Sequence, residues 1–535
     1  MKRIVTICLL SALAVISASA QGGRLRHPGG CIAHGELLGE SGNATWQNYP
    51  PSSILLPPSS PTRSLAPKGD VRVPIILTAF ADTPFTVENP QQAWSDIANR
   101  PGYSDHGARG SMRDYFLEQS RGLFNVSFDV LGPVTLPREC AYYGQNNIAK
   151  KPGSDKNFNS MIQEAAKLAA ALPGADFSRY DWDGDGTIDA LLLVYAGCGE
   201  NVKGSPAELI WPKSGAIWGD AGGYRLSRYA CANELLWPDR QQDGFGALLH
   251  EFSHCLGLPD LYNVDDNVED NIYFDEWDVM DGGCYAGGGW QPVGYSAYER
   301  YLCGWLLPEE LSLTTDVGDM KPLTDGGQAY LVRHATDPRQ RFMLENRQQQ
   351  GFDTLLPGHG LLVTRFTDFG NTTLIPNNGE PPAITPVPSD GLSYLESLRR
   401  YVRQYYGVTL PDNQHDITDE YKTHRYDENG RSRLLTGLAF PSGSDRAALF
   451  TCSLADIREA DSLISFRFID AADAIILPRI DFSSNEERGT RKEDTAEGLQ
   501  PQDITPSSLL LPRSSKNTTI RIVRYPDGSV KKILR

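Results

Sequence analysis

DGFGALLHEFSHCLGLPD, residues 243–260, is the stretch from which the rest of the chain is read. Its spacing predicts a helix, with Asp243 capping the start and Gly257 and Pro259 ending it. His250 and His254 are four residues apart, so both imidazoles project from one face, one turn apart. Two neutral imidazoles so placed fit two corners of a zinc tetrahedron. Glu251 stands beside the first of them, positioned to take a proton from the attacking water rather than to bind the metal. Gly257 lets the chain double back, and Asp260 follows to complete HExxHxxGxxD, the elongated HExxH signature with Asp where His is usual. Asp260 is therefore the expected third ligand, and Glu276 is the alternative if the site follows the other large zinc-site plan. The structural alternative is a buried helix whose two histidines satisfy core hydrogen bonds.

Downstream, EWDVMDGG (276–283) places Met280 in a tight Gly-rich turn at the distance expected of the Met-turn beneath such a metal. Upstream, DWDGDGTID (181–189) sets carboxylates of Asp181, Asp183, Asp185 and Asp189 at loop positions one, three, five and nine, with Gly186 at six. Hard oxygens alternating round a tight turn are calcium chemistry, with the Thr187 carbonyl as a further ligand. Leu192 stands where an EF-hand has Glu, so a standard EF-hand is excluded. The alternative is an acidic turn held by Asx hydrogen bonds. Residues 265–278 form a second acidic stretch, read as an ion site or a solvated loop.

Around these motifs, strand-like runs at 71–77, 124–130 and 189–196 alternate with helix patterns at 111–120 and 158–171, which predicts an α/β catalytic domain over residues 70–310. Short strands at 330–333 and 361–366, with one helix at 394–406, predict a mainly β C-terminal domain over 311–483. Residues 484–535 read as a charged linker and a terminal hairpin around Pro526-Asp527-Gly528. Residues 1–20, with Lys2 and Arg3, an apolar run and Ala18-Ser19-Ala20, read as a signal peptide, and 21–69 as a Pro/Ser-rich pro-segment. The expected location is therefore secreted, cell-surface or periplasmic. No later stretch is apolar enough to span a membrane. The two ends share a pattern, PSSILLPPSS (51–60) and PSSLLLPRSS (506–515), read as compositional likeness or as a tag for one processing partner. A net charge of −17 excludes nucleic acid as the main partner and suits hard cations held on carboxylates. Beyond Cys8 in the apolar run lie Cys31, Cys140, Cys198, Cys231, Cys255, Cys284, Cys303 and Cys452, an even set that permits disulfides in an exported chain. No CxxC pair is present, which disfavours a thiolate zinc site. Asn43, Asn125, Asn371 and Asn517 lie in sequons.

Several stretches together resemble the immune-inhibitor-A-type metallopeptidases, a metzincin-like family of exported bacterial proteases. They are HEFSHCLGLPDLYN (250–263), WDVMDGG (277–283), YSAYERYLCGW (295–305), GSMRDYFLEQSRG (110–122), FMLENRQQQGFD (342–353) and LPGHGLLV (356–363). The resemblance implies an α/β zincin-like (metzincin-type) catalytic domain followed by a mainly β domain. It also implies zinc and calcium as cofactors, export as a zymogen, Asp260 as third ligand and Met280 in the Met-turn. The expected activity is endoproteolysis of protein or peptide substrates, with Glu251 as general base. Tyr285, Tyr295 and Tyr298 are candidate oxyanion donors, and residues 224–230 the candidate edge strand for an extended substrate. The rival reading from another class is a calcium-dependent surface adhesion protein with a vestigial protease site.

Overall fold

The β-branched run around Val73–Leu77 lengthens into the central strand β1 (Gly69–Ala79). The computed structural model describes residues 67–148, 152–264, 271–337, 339–367, 377, 382–411, 414, 417–444, 446–473, 520–524 and 530–534. The expected signal peptide, most of the pro-segment, the 484–503 linker, both copies of the Pro/Ser pattern, Cys8, Cys31, Asn43, Asn371 and Asn517 lie outside them. β1 pairs in parallel with β2 (Phe124–Thr135) on one side and β3 (Leu191–Cys198) on the other. The last two strands are β4 (Lys213–Ala216) and β5 (Arg228–Leu235). The order is β2-β1-β3-β5-β4, parallel except for β4, which runs antiparallel along the edge.

Side-chain alternation places a separate core on each face of this sheet. Val73, Ile75 and Leu77 of β1, Leu192 and Val194 of β3, and Ala230 and Ala232 of β5 join one core. The helices Pro90–Asn99, Met112–Gln119 and Gly246–Cys255 cover that face with Trp94, Phe116 and Phe252. Ile76, Leu191, Leu193, Tyr229 and Cys231 face the other way, where Phe158–Ala170 covers them with Met161, Ile162, Ala165 and Ala169. Both faces are buried, which is why β1 and β3 read as continuous apolar runs. Ser111 and Asp114 form the capping box that starts Met112–Gln119.

From residue 309 the architecture changes to two sheets. One is five-stranded: Ile384–Pro386, Gly360–Thr367, Gln340–Arg347, Tyr330–Arg333 and Glu309–Glu310. The other, four-stranded and antiparallel, comprises Thr315–Met320, Leu463–Ile469, Cys452–Ala460 and Arg446–Leu449. The core does not stop at residue 310. Leu331, Met343 and Leu362 pack in the same cluster as Met280 and Trp277, as do Leu398 and Tyr401 of the helix Tyr394–Tyr406. Arg347, fully buried, donates to both carboxylate oxygens of Asp353 at 2.9 and 2.8 Å and to the carbonyls of Trp277 and Gly294. Trp277 Nε1 in turn donates to Leu435 O at 3.0 Å. Residues 476–535 form a separate unit. Its described part is two antiparallel strands, Ile520–Arg524 and Val530–Leu534.

No two of the seven described cysteines form a disulfide, although the set of eight that includes Cys31 permitted such bonds; six of the seven are buried. Cys140, Cys231, Cys255, Cys284 and Cys303 sit in the apolar cores, and Cys198 faces the Leu236 carbonyl. No helix among the described residues is long and apolar enough to cross a membrane.

Glu118, beside Asp353 and Arg300, is pushed up to about 7, chiefly by burial. A carboxyl raised in the folded state binds its proton more tightly there than when unfolded. Its contribution is full below about 4.5 and is lost as pH rises through about 7. Glu118→Gln should therefore flatten this part of the pH dependence. Urea unfolding should find the variant close to the parent at pH 4 and more stable at pH 8, by roughly 1–3 kcal/mol.

Candidate metal centre

The helix bearing the motif spans Gly246–Cys255 and is followed by Gly257 at φ +90°, the left-handed turn that reverses the chain. Asp243 does not cap it: the N-cap is Phe245, with no side-chain cap. The Asp243 carboxylate instead accepts from Asn233 Nδ2 at 2.9 Å, and burial pushes it up to about 7. The two glycines of DGFG are needed for closeness rather than for a cap. A Cβ on Gly246 would stand 1.9 Å from Cys284 O, and one on Gly244 2.0 Å from the Gly289 carbonyl carbon.

Three ligand-type atoms converge below the helix. His250 Nε2 and His254 Nε2 are 3.2 Å apart, and Asp260 Oδ1 lies 3.2 and 3.3 Å from them. A cation ~2.0 Å from each of three tetrahedral ligand atoms needs them ~3.3 Å apart, so the triangle has the right size. The far side of each ring is fixed: His250 Nδ1 donates to Val279 O and His254 Nδ1 to Leu258 O, both at 2.8 Å. With Nδ1 protonated, each Nε2 keeps its lone pair for a metal. Asp260 Oδ1 is buried without a well-formed hydrogen bond. These residues fit a divalent cation.

The electrostatics agree. His254 is pushed up to about 9, because the Asp260 carboxylate and Glu251 outweigh the lowering by burial. Asp260 is held below the usual carboxylate range, burial being overcome by the two imidazoles. The cluster thus stabilises a positive charge at its centre. Glu251 is fully buried and lies against the Ser214 hydroxyl of β4; burial raises it, while His250 and His254 pull it down.

Glu276, the alternative third ligand, is elsewhere: it accepts from Arg425 Nη2 at 2.9 Å and from Tyr426 OH at 3.0 Å. Met280 is buried at the turn below the cluster, its carbonyl accepting from Leu261 N at 3.0 Å. Tyr295 hydrogen-bonds to Ser253 of the site helix, and the Tyr298 ring packs on Phe366. Tyr285 lies half-buried in the turn Gly282–Gly289. The expected edge strand is corrected: β5 is internal, Tyr224–Leu226 belongs to a small separate sheet, and the edge is β4. The order of short strands across a sheet leaves no mark in sequence.

In the acidic loop, carboxylate oxygens of Asp181, Asp183 and Asp189 come within 4.8 Å of one another. Asp185 is not in that group. Its carbonyl and the Thr187 hydroxyl accept from Arg225 Nη2 at 3.2 and 2.9 Å. Asp181 also accepts from the backbone of Gly184, Asp185 and Gly186, so the Asx-type turn is present too. Asp189 is pushed up to about 7, first by burial and then by the neighbouring aspartates. Among described residues of the 265–278 stretch, Asp275 and Glu276 pair with Arg425. The Val279 and Leu258 carbonyls and Ser214 carry no signal in the sequence.

A buried helix presenting two anchored imidazoles, a returning carboxylate and an adjacent glutamate is the arrangement that metal-assisted hydrolysis requires. Residues 91–304 match the family model described as immune inhibitor A peptidase M6, catalytic domain. It is 29% identical over 289 residues to Immune inhibitor A of Bacillus thuringiensis subsp. alesti, covering 45% of this chain and 41% of that protein. It is 28% identical over 253 residues to the pre-pro-metalloprotease PrtV of Vibrio cholerae serotype O1, covering 39% and 27%. The chain thus spans less than half the length of these relatives.

Gly246→Ala tests the close approach under the helix. The substitution gains about 1 kcal/mol of helix propensity but drives a Cβ against the Cys284 carbonyl, and overpacking of this kind costs about 1–3 kcal/mol. The net effect in thermal unfolding should be destabilising; an unchanged or higher Tm would mean the helix can shift away.

Proposed function

We propose that the protein is an exported zinc-dependent endopeptidase whose ligands are His250, His254 and Asp260 and whose general base is Glu251. The observation that carries this reading is the triangle of Nε2, Nε2 and Oδ1 atoms with both Nδ1 atoms committed to carbonyls. His250, His254 and Asp260 would hold the zinc, which would supply a water of lowered pKa, towards ~7, and a Lewis acid for the scissile carbonyl. Glu251 takes the proton of that water and delivers it to the leaving amine. It sits next to His250 on the helix and faces Ser214 on β4, so the base and the sheet edge meet. An extended substrate pairs along β4 and crosses the ligands.

In this reading residues 70–310 are a metzincin-type catalytic domain with Met280 in its Met-turn. Residues 311–483 are a β-rich domain distinguished by architecture rather than by a break in the core. Residues 1–20 direct export, 21–69 are a pro-segment, and 484–535 are a linker and terminal hairpin. Calcium is held by the carboxylates of Asp181, Asp183, Asp185 and Asp189 and by the Thr187 carbonyl; Arg225 engages only the Asp185 carbonyl and the Thr187 hydroxyl.

Casein cleavage by the matured protein beside Glu251→Ala is the deciding experiment. The parent should cut, and the variant should lose roughly 10² to 10⁴ in rate while still binding zinc. If neither cuts with zinc and calcium supplied, general endoproteolysis is wrong, and the calcium-dependent adhesion reading takes its place. Calcium should raise the Tm of the parent, by as much as about 2.7 kcal/mol of stability at a hundredfold excess over Kd. Asp189→Asn should abolish that rise. A parent indifferent to calcium would leave the loop as an acidic turn only.

A further inference from the structure

Asp260 is the only proposed zinc ligand outside the helix, so its place depends on what holds the chain just after it. The next residue, Leu261, is fully buried and has both backbone polar groups engaged. Its N–H donates to Met280 O at 3.0 Å. Its carbonyl accepts from Asn377 Nδ2, also at 3.0 Å. The first partner belongs to the turn that also holds His250. The second comes from 73 residues beyond the end of the family match at residue 304.

Asn377 is fully buried. Its second N–H donates to Ile384 O at 2.9 Å, and its Oδ1 accepts from Ile384 N at 2.9 Å. Ile384 opens the strand that pairs with Gly360–Thr367, so the amide is fixed to a sheet on one side and reaches the ligand segment with the other. Its own carbonyl accepts from Val264 N at 2.9 Å, a second tie to the same segment. One side chain thus uses both N–H donors and one acceptor without water. The orientation of the amide is set by its partners, since a flipped group would face Leu261 O with an oxygen.

We infer that Asn377 is a positioning residue for the metal centre, supplied by the β-rich part of the chain, which clamps Leu261 and so holds Asp260 at the distance its two imidazole partners require. The inference rests on the zinc reading above. Partners of this kind behind a ligand are worth 10- to 100-fold in metal affinity.

The test is zinc affinity of the purified, metal-stripped protein by competition with a chromophoric chelator, which needs no turnover. Asn377→Ala should weaken zinc binding 10- to 100-fold. The control is Asn346→Ala. Asn346 is equally buried and bridges Met320 O and Ser462 O at 2.7 and 2.8 Å, away from the ligands. It should lower the metal-free Tm by a similar amount yet leave zinc affinity within about twofold, well below the effect of an outer partner. If Asn377→Ala does not fold, Asn377→Asp keeps the shape and the acceptor for Ile384 N while removing the donor to Leu261 O, and should show the same weakening. Zinc affinity unchanged in the folded Asn377 variant, or weakened equally in Asn346→Ala, overturns the clamp. A parent that binds no zinc overturns the metal site itself, and the clamp with it.

Discussion

His250 donates its Nδ1–H to the carbonyl of Val279, and much of the chain is arranged to keep that carbonyl in place. Val279 lies in a turn whose hydrogen bonds are almost all internal: Asp278 Oδ1 accepts from Met280 N, and Asp278 O from Gly283 N. Asp281 accepts from the backbone of Phe274 and Asp275. The turn is then pinned from outside, by Arg347 on the Trp277 carbonyl and by Leu435 on the Trp277 indole. A ring nitrogen cannot be aimed more accurately than the carbonyl that receives its other proton. The buried polar network around 274–283 therefore bears on the aim of the His250 ring.

This constraint explains why the α/β half and the β-rich half share one core. An independent catalytic domain would need its own cover for Trp277, Met280 and Val279. Here Met343, Leu362, Leu398 and Tyr401 supply it. The charges follow the same logic. Arg347, with no exposed surface, has Asp353 on its Nε–Nη2 edge, and Nη2 also donates to two carbonyls. Removing one partner from such a pair is far costlier than the pair's net worth, because the other charge stays buried.

Legibility in the sequence followed the range of the interactions. His250, His254, Glu251 and Asp260 were readable because helix periodicity and one glycine fix their relation over a few residues. The helix Tyr394–Tyr406 was readable because its capping box, its apolar stripe and Gly407 all lie within it. The runs that became β1 and β3 stood out because both faces of the sheet are covered. What failed was long-range or contact-dependent. Asp243 reads as an N-cap, yet its carboxylate is taken by Asn233, from another strand. The edge strand was placed at 224–230 because strand order follows crossovers, which short polar strands do not encode. Asn377 sits among residues with no periodic pattern, and its use becomes visible only when Leu261 is beside it.

The cysteines lead somewhere different. Burial raises the Cys140 and Cys255 thiols to about 12 and pushes Cys231 and Cys284 up as well, and Cys452 alone among the described seven is partly open to solvent. Thiolates do the alkylation and the exchange, so these sulfurs are chemically silent while the chain is folded. They are distributed through β3, β5, the helix Gly246–Cys255, the turn beneath it and the far sheet. Each is a built-in label for its own neighbourhood. Mass added by a thiol reagent under mild stress would name, sulfur by sulfur, which layer of the molecule opens first.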